Sequence, residues 1–258
     1  VTATAVKDVV RTGFTKLIEG LELGARNAVA VSMACAVAGI IVGVVGLTGL
    51  GLKFSSMMLA FSGGNLVLAL VMVLLASLVL GMGLPVTASY IVLIVLVGPA
   101  LTAEFGVPLL VAHLVVFWYS QDSNVTPPIA LAGFAGAAIA GSKPMETSFQ
   151  AWKFAKGLYL IPLFMVFNPE IIIGGPVPVV IWNGVIAILA LGAFAAALEG
   201  YLFTKMSWLP RIAITAAIFG VFYPNLMTEI AGVAVMIVAI GANWLASKRE
   251  TPATPVSG

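Results

Sequence analysis

The stretch Ser120-Gln121-Asp122-Ser123-Asn124-Val125-Thr126-Pro127-Pro128 is the most polar segment between Lys53 and Lys143, and it stands inside an apolar run. Asp122 carries the only charge between residues 105 and 142. Pro127 and Pro128 have no N–H to donate and stop a helix. Hydroxyls, an amide and freed carbonyls then face one another, an oxygen set that suits a hard monovalent cation. Ser123, Asn124 and Thr126 are the candidate ligands, joined by Asp122 if it faces the same space. A carboxylate at membrane depth marks a functional site. The competing reading is a polar turn at a membrane surface. Asn124-Val125-Thr126 also spells a glycosylation sequon, but Pro127 follows directly and apolar sequence surrounds it.

A second interruption lies upstream. Gly81-Met82-Gly83-Leu84-Pro85-Val86-Thr87 separates the apolar arms 64–80 and 88–99. Two glycines and a proline favour a turn. No charge accompanies it, so the turn need not emerge into water. A re-entrant hairpin with its tip held at depth fits; an ordinary loop between two full spans is the alternative. Gly81-x-Gly83 lacks the third glycine and the βαβ setting of a dinucleotide loop.

The rest of the chain sets both breaks in a membrane. Of 258 residues, 61% are hydrophobic and 9% charged, against about 25% charged in ordinary soluble domains. Mean hydropathy is +1.15. Twelve basic and ten acidic residues are too few to cover a water-facing surface of this size. A net charge of +2 gives no nucleic-acid footprint. Cys35 and His113 are single, which excludes a disulfide framework and a zinc cluster. The alternating ten-residue pattern of barrel strands is absent. The fold class expected is an all-α integral membrane protein. No cofactor motif occurs, and no P-loop that would drive a pump.

Residues 27–50 are read as a span, 54–103 as the hairpin, 106–142 as a broken helix and 151–173 as a further span. Transmembrane helices follow over 176–247, then a cytoplasmic tail at 248–258. Residues 1–26 form an amphipathic surface helix, with Val10, Phe14, Leu17 and Leu21 on one face. A second one occupies 143–156. Ser142 caps it, Pro144 opens it, Met145, Phe149 and Trp152 form its stripe, and Lys153 and Lys156 snorkel. If the broken helix crosses once, eleven of the twelve basic residues face inside and only Lys53 lies outside. If it crosses twice, eight face outward.

After the second break, Ala132, Gly136 and Ala140 line one helix face, and Gly133, Ala137 and Gly141 another. Gly39 and Gly43 do the same in the first span. Such faces let helices approach closely. His113 and Ser120 are seven residues apart and share a helix face, which allows a Ser/His nucleophile pair without an oxyanion motif. Val1 is not an initiating methionine, and the chain is read as part of a longer polypeptide.

The carrying segments, in order, are Arg26 to Ala30, Gly39 to Gly46, Leu80-Gly81-Met82-Gly83-Leu84-Pro85, and Asn124-Val125-Thr126-Pro127-Pro128-Ile129-Ala130-Leu131-Ala132. Ala140-Gly141 with Pro144-Met145, and Phe167-Asn168-Pro169, complete them. With these, residues 27–175 resemble the C-terminal half of the large membrane subunit of TRAP (tripartite ATP-independent periplasmic) transporters. Residues 177–247 resemble the extra C-terminal helices of the type in which small and large membrane subunits are fused.

The resemblance implies two inverted repeats, each with a re-entrant hairpin and a broken helix, of which this chain holds the second. It implies a sodium site between the hairpin tip (Gly81, Gly83, Pro85) and the break (Ser123, Asn124, Thr126). Substrate would bind nearby, with Thr87 and Ser89 as candidates. Many family members carry an acid where Asn124 stands; here the acid is Asp122. The function implied is a sodium-coupled permease subunit in a bacterial inner membrane. It would import an organic carboxylate delivered by a periplasmic binding protein, with the small membrane subunit fused upstream. The alternatives are an intramembrane enzyme using Asp122, Ser120 or His113, and a structural membrane subunit.

Overall fold

The structure is a computed structural model that describes residues 3–82, 84–128, 130–222 and 225–249. The described residues form helices and no β-strand; the one pairing of extended backbone is an isolated bridge between Tyr201 and Lys205.

Helix α1 (Ala3–Thr48) runs for 46 residues, about 70 Å at 1.5 Å per residue. It passes through residues 26 and 27 unbroken, so the expected surface helix and first span are one element. No proline interrupts it, and Arg26 pairs with Glu22 at 2.8 Å across the expected boundary, an (i, i+4) pair that supports continuation. The helix stops at Gly49, whose φ of 65° suits a residue without Cβ. There α2 (Leu50–Ser62) departs at 78° to the second half of α1.

The hairpin follows. Its arms are α3 (Leu66–Gly81) and α4 (Val86–Pro99). Asn65 caps α3 by accepting from the Leu68 N–H at 3.1 Å. Pro99 cannot donate to the Val95 carbonyl, and the next turn, Ala100–Glu104, loosens into a π-turn. At this weak point α2 packs closest: a Cβ on Gly51 would lie 3.1 Å from the Val95 oxygen. Together Val86–Glu104 are long and apolar enough to cross a membrane.

The expected broken helix is α5 (Leu109–Asp122) and α6 (Leu131–Ala140), separated by the Ser123–Ala130 segment. The core lies where α5 meets both hairpin arms, around buried Leu70, Val73, Leu93, Val97, Val111, Val115 and Tyr119. Ser77 of α3 donates to the Tyr119 carbonyl at 3.2 Å, fixing arm against helix.

Helix α7 (Pro144–Ala155) is the expected amphipathic segment. Ser142 does not cap it; its hydroxyl lies 2.7 Å from that of Thr147. A 3-10 turn (Lys156–Leu160), α8 (Ile161–Phe167) and α9 (Glu170–Ile173) follow. The stretch 151–173 thus holds the end of α7, the 3-10 turn, α8 and α9, and it is helical without a gap as far as Phe167. Pro162 and Pro169 each remove a backbone donor, and Asn168 leaves helical geometry.

Helices α10 (Val177–Glu199), α11 (Trp208–Phe222) and α12 (Leu226–Arg249) form a C-terminal bundle. Phe164 and Phe222, ring centroids 5.3 Å apart, join it to α8. Val177, Ile181, Ile188 and Leu189 stand exposed along α10, a surface that suits lipid and not water. Of the expected 248–258 tail, Lys248 and Arg249 still belong to α12; 250–258 lie outside the described residues.

Candidate functional site

The hairpin tip and the helix break meet at Gly81 and Ser123. A Cβ on Gly81 would lie 2.5 Å from Ser123 Cβ and 4.0 Å from the Ser120 carbonyl oxygen. Only a residue without a side chain allows α3 to end this close to the end of α5. Ser123 is buried and donates to the Ser120 carbonyl at 3.1 Å.

Asp122 ends α5 with 2% of its surface exposed. Its Oδ2 has no hydrogen-bond partner among the described residues. Ser89 Oγ, fully buried on α4, is the other orphaned side-chain oxygen there. Buried polar atoms nearly always have partners, so such exceptions call for a ligand, a water or a proton.

The carbonyls of the break are less free than its prolines suggest. Asp122 O accepts from the Val125 N–H at 3.2 Å and from the Thr126 hydroxyl. Ser123 O accepts from Thr126, Asn124 O from Ala132 and Thr126 O from Ala130. Each carbonyl has two lone pairs; Asp122 O has used both, the other three retain one. The Pro127–Pro128 bond is cis, and buried Ala130 enters α6 at φ 35°, a left-handed conformation that is strained for a residue with Cβ.

Thr126 is engaged with Tyr159. Its hydroxyl lies 2.7 Å from Tyr159 Oη, and Trp152 Nε1 donates to that same oxygen at 3.0 Å. Tyr159 was not marked by the sequence, although its seven-residue spacing from Trp152 puts the two on one side of a helical path. Asn124 is half-buried. Pro85 and Thr87 are exposed, and the Pro85 carbonyl accepts from Ser89 N–H at 2.9 Å. Gly83 lies outside the described residues.

The Ser120–His113 nucleophile pair does not form. Ser120 donates to the Val116 carbonyl at 2.8 Å, and His113 Nδ1 lies 2.7 Å from Tyr90 Oη on α4. Of the two small faces on α6, one packs: Gly133 sits so near α7 that a Cβ would lie 2.8 Å from Ser148 Cα. Ala132, Gly136 and Ala140 are exposed, as are Gly39 and Gly43 of α1.

A hairpin whose glycine tip abuts a helix break is the arrangement that the resemblance implies. The family model for the DctM component of tripartite ATP-independent periplasmic transporters matches residues 2–173. The chain belongs to this family. No curated protein and no solved structure matches it significantly. The DctM match covers α1 to α9, beginning ahead of the Arg26–Ala30 segment that opened the resemblance; α10 to α12 lie beyond it. The chain is a multi-pass, all-α membrane component of a TRAP transporter.

Proposed function

We propose that the chain is the permease part of a sodium-coupled carrier that imports an organic carboxylate across a bacterial inner membrane. A periplasmic binding protein delivers the substrate, and the small membrane subunit is fused upstream in the same polypeptide. DctM membership supports the transporter class. The observation that carries the coupling-ion reading is Asp122, buried at the break with an oxygen that no described residue satisfies. A buried, unpaired carboxylate is costly, and a bound cation removes that cost.

Sodium is a transported partner here and not a resident cofactor. Asn124 Oδ1, Asp122 Oδ2 and the remaining lone pairs of Ser123 O and Asn124 O form the oxygen set. Gly81 lets the tip approach, so that ion binding draws hairpin and break together. Thr126 contributes through its neighbours, since its hydroxyl is engaged with Tyr159 and Asp122 O. Substrate then binds beside the hairpin, with Ser89 and Thr87 as its candidate contacts, and the two interrupted helices move as a unit against α1 and the outer helices.

The intramembrane-enzyme reading has less support, because the Ser120 hydroxyl and the His113 ring are turned to separate partners. The full-length carrier, reconstituted with its binding protein, tests the proposal. Uptake of a labelled carboxylate should follow an imposed inward sodium gradient. Uptake driven equally by a proton gradient in sodium-free buffer would refute sodium coupling.

A further inference from the structure

A cavity of about 410 Å³ opens between α7 with its following turn and the end of α10. Its rim is charged. Lys153 is held by Glu199 at 2.6 Å. Lys156 forms no ion pair among the described residues, and its ammonium lies 5.0 Å from the Trp152 ring centroid. Two lysines against one carboxylate leave a single positive charge at the rim.

Below the rim the lining turns apolar and small. Ala195 and Ala196 face the cavity from α10, and Gly157 and Gly192 flank it. A Cβ at either glycine would meet no atom within 4 Å, so the trough is open at both. Gly192 is seven residues before Glu199 on a continuous helix, about 10 Å along it from that charged end. Phe154, 85% exposed, and Tyr201 stand at the mouth. A cationic rim, aromatic shoulders and a smooth apolar trough descending along a lipid-exposed helix match the three zones of one phospholipid.

We propose that this cavity binds an anionic membrane phospholipid. Its phosphodiester sits on Lys156, with Lys153 beside it and the Glu199 carboxylate compensated by Lys153. One acyl chain lies along Gly157, Gly192 and Ala196. Such a lipid would join the DctM part to the C-terminal bundle, whose polar link here is Lys153–Glu199. The inference is independent of the coupling ion.

Native mass spectrometry of the full-length protein, released from phosphatidylcholine nanodiscs doped with phosphatidylglycerol, tests it. Wild type should retain one phosphatidylglycerol in preference to phosphatidylcholine. Lys156→Gln should lower retention about fivefold, the effect of losing one basic contact near a lipid surface, and Lys156→Arg should restore it. Gly192→Leu should lower retention with every charge in place. Lys248→Gln, which alters a lysine stacked on Trp244 elsewhere, should not. Equal retention by Gly192→Leu together with displacement by excess inorganic phosphate would make this a phosphate site and overturn the lipid. Retention unchanged in Lys156→Gln, or no preference for phosphatidylglycerol in wild type, would overturn it as well.

Discussion

Thr126 Oγ1 lies 2.7 Å from the hydroxyl of Tyr159, 33 residues further along the chain. The direction of the bonds around this pair is fixed by chemistry. Trp152 Nε1 can only donate, so Tyr159 accepts from it and donates to Thr126, which donates to the Asp122 carbonyl. A single relay thus runs from the amphipathic helix α7 to the last turn of α5. The helix break is anchored by Tyr159 at Thr126 and by the contact of Ser123 with Gly81.

Tyr159→Phe keeps the ring and removes the relay. The Trp152 N–H loses its acceptor and Thr126 loses its outer partner, a cost of about 1–3 kcal/mol when buried groups go unpaired. Hydrogen exchange at residues 122–126 should accelerate, whereas exchange in α11 should not change. Protection at 122–126 equal to that of wild type would mean that the relay does not hold the break.

Gly81→Ala forces a methyl group into Ser123 and should destabilise the protein by about 1–3 kcal/mol, the usual cost of overpacking. Ser123→Gly in the same chain removes the opposing Cβ and should recover much of that loss. Thermal unfolding of the two single variants and the double variant measures the coupling. Additive effects would separate the tip from the break.

Residues 143–156 should face the cytoplasm and 224–229 the periplasm. Three cross-links gather basic residues at one end of the molecule. Lys153 meets Glu199 at 2.6 Å, Arg211 Nε donates to the Ala197 carbonyl at 2.6 Å, and Asn243 Oδ1 accepts from the Phe203 N–H at 2.9 Å beside Lys205. Trp182 donates to Glu229 at 2.6 Å, at the opposite ends of α10 and α12. The positive-inside bias predicts that the basic end lies in the cytoplasm. With Cys35 replaced by serine, cysteines introduced at Ser142 and Thr228 should react with a membrane-impermeant reagent in intact cells at Thr228 only. Labelling at Ser142 instead would invert the arrangement.

Asn243 holds the loop between α10 and α11, accepting from the Phe203 and Thr204 N–H groups and donating to the Thr204 carbonyl at 3.1 Å. Asn243→Ala should cost about 1–3 kcal/mol, read as earlier thermal unfolding, and protease should reach 201–205 more readily. An unchanged cleavage rate would show that the loop stands without it.

Both interruptions were legible in the sequence because glycine and proline act locally. The Gly81–Pro85 turn and the Ser123–Pro128 break fall where those residues punctuate apolar runs. The spacing of Gly133 and Ala137 announced a close-packed face, but nothing local told it from the Ala132–Gly136–Ala140 face, since the choice depends on where α7 lies. The Thr126–Tyr159 contact was illegible for the same reason: tertiary placement across 33 residues decides it. The stretch 151–173 reads as one apolar span by composition, and composition does not show the 3-10 turn at 156–160 or the departure from helix at Asn168. That Arg211 holds the last carbonyls of α10, and Asn243 the loop after it, also becomes visible only once three helices are packed.

The proposed coupling-ion site is the break beside Gly81, with Asp122 and Asn124 as its ligands. The most direct test is the half-saturating external sodium concentration for carboxylate uptake by the full-length carrier and its binding protein in proteoliposomes. Asp122→Asn and Asn124→Ala should each raise it about tenfold, the effect of losing roughly 1.4 kcal/mol of ion binding, and Asn124→Asp should hold or lower it. If Asp122→Asn and Asn124→Ala both leave that concentration unchanged, the ion binds elsewhere and the break is only a turn.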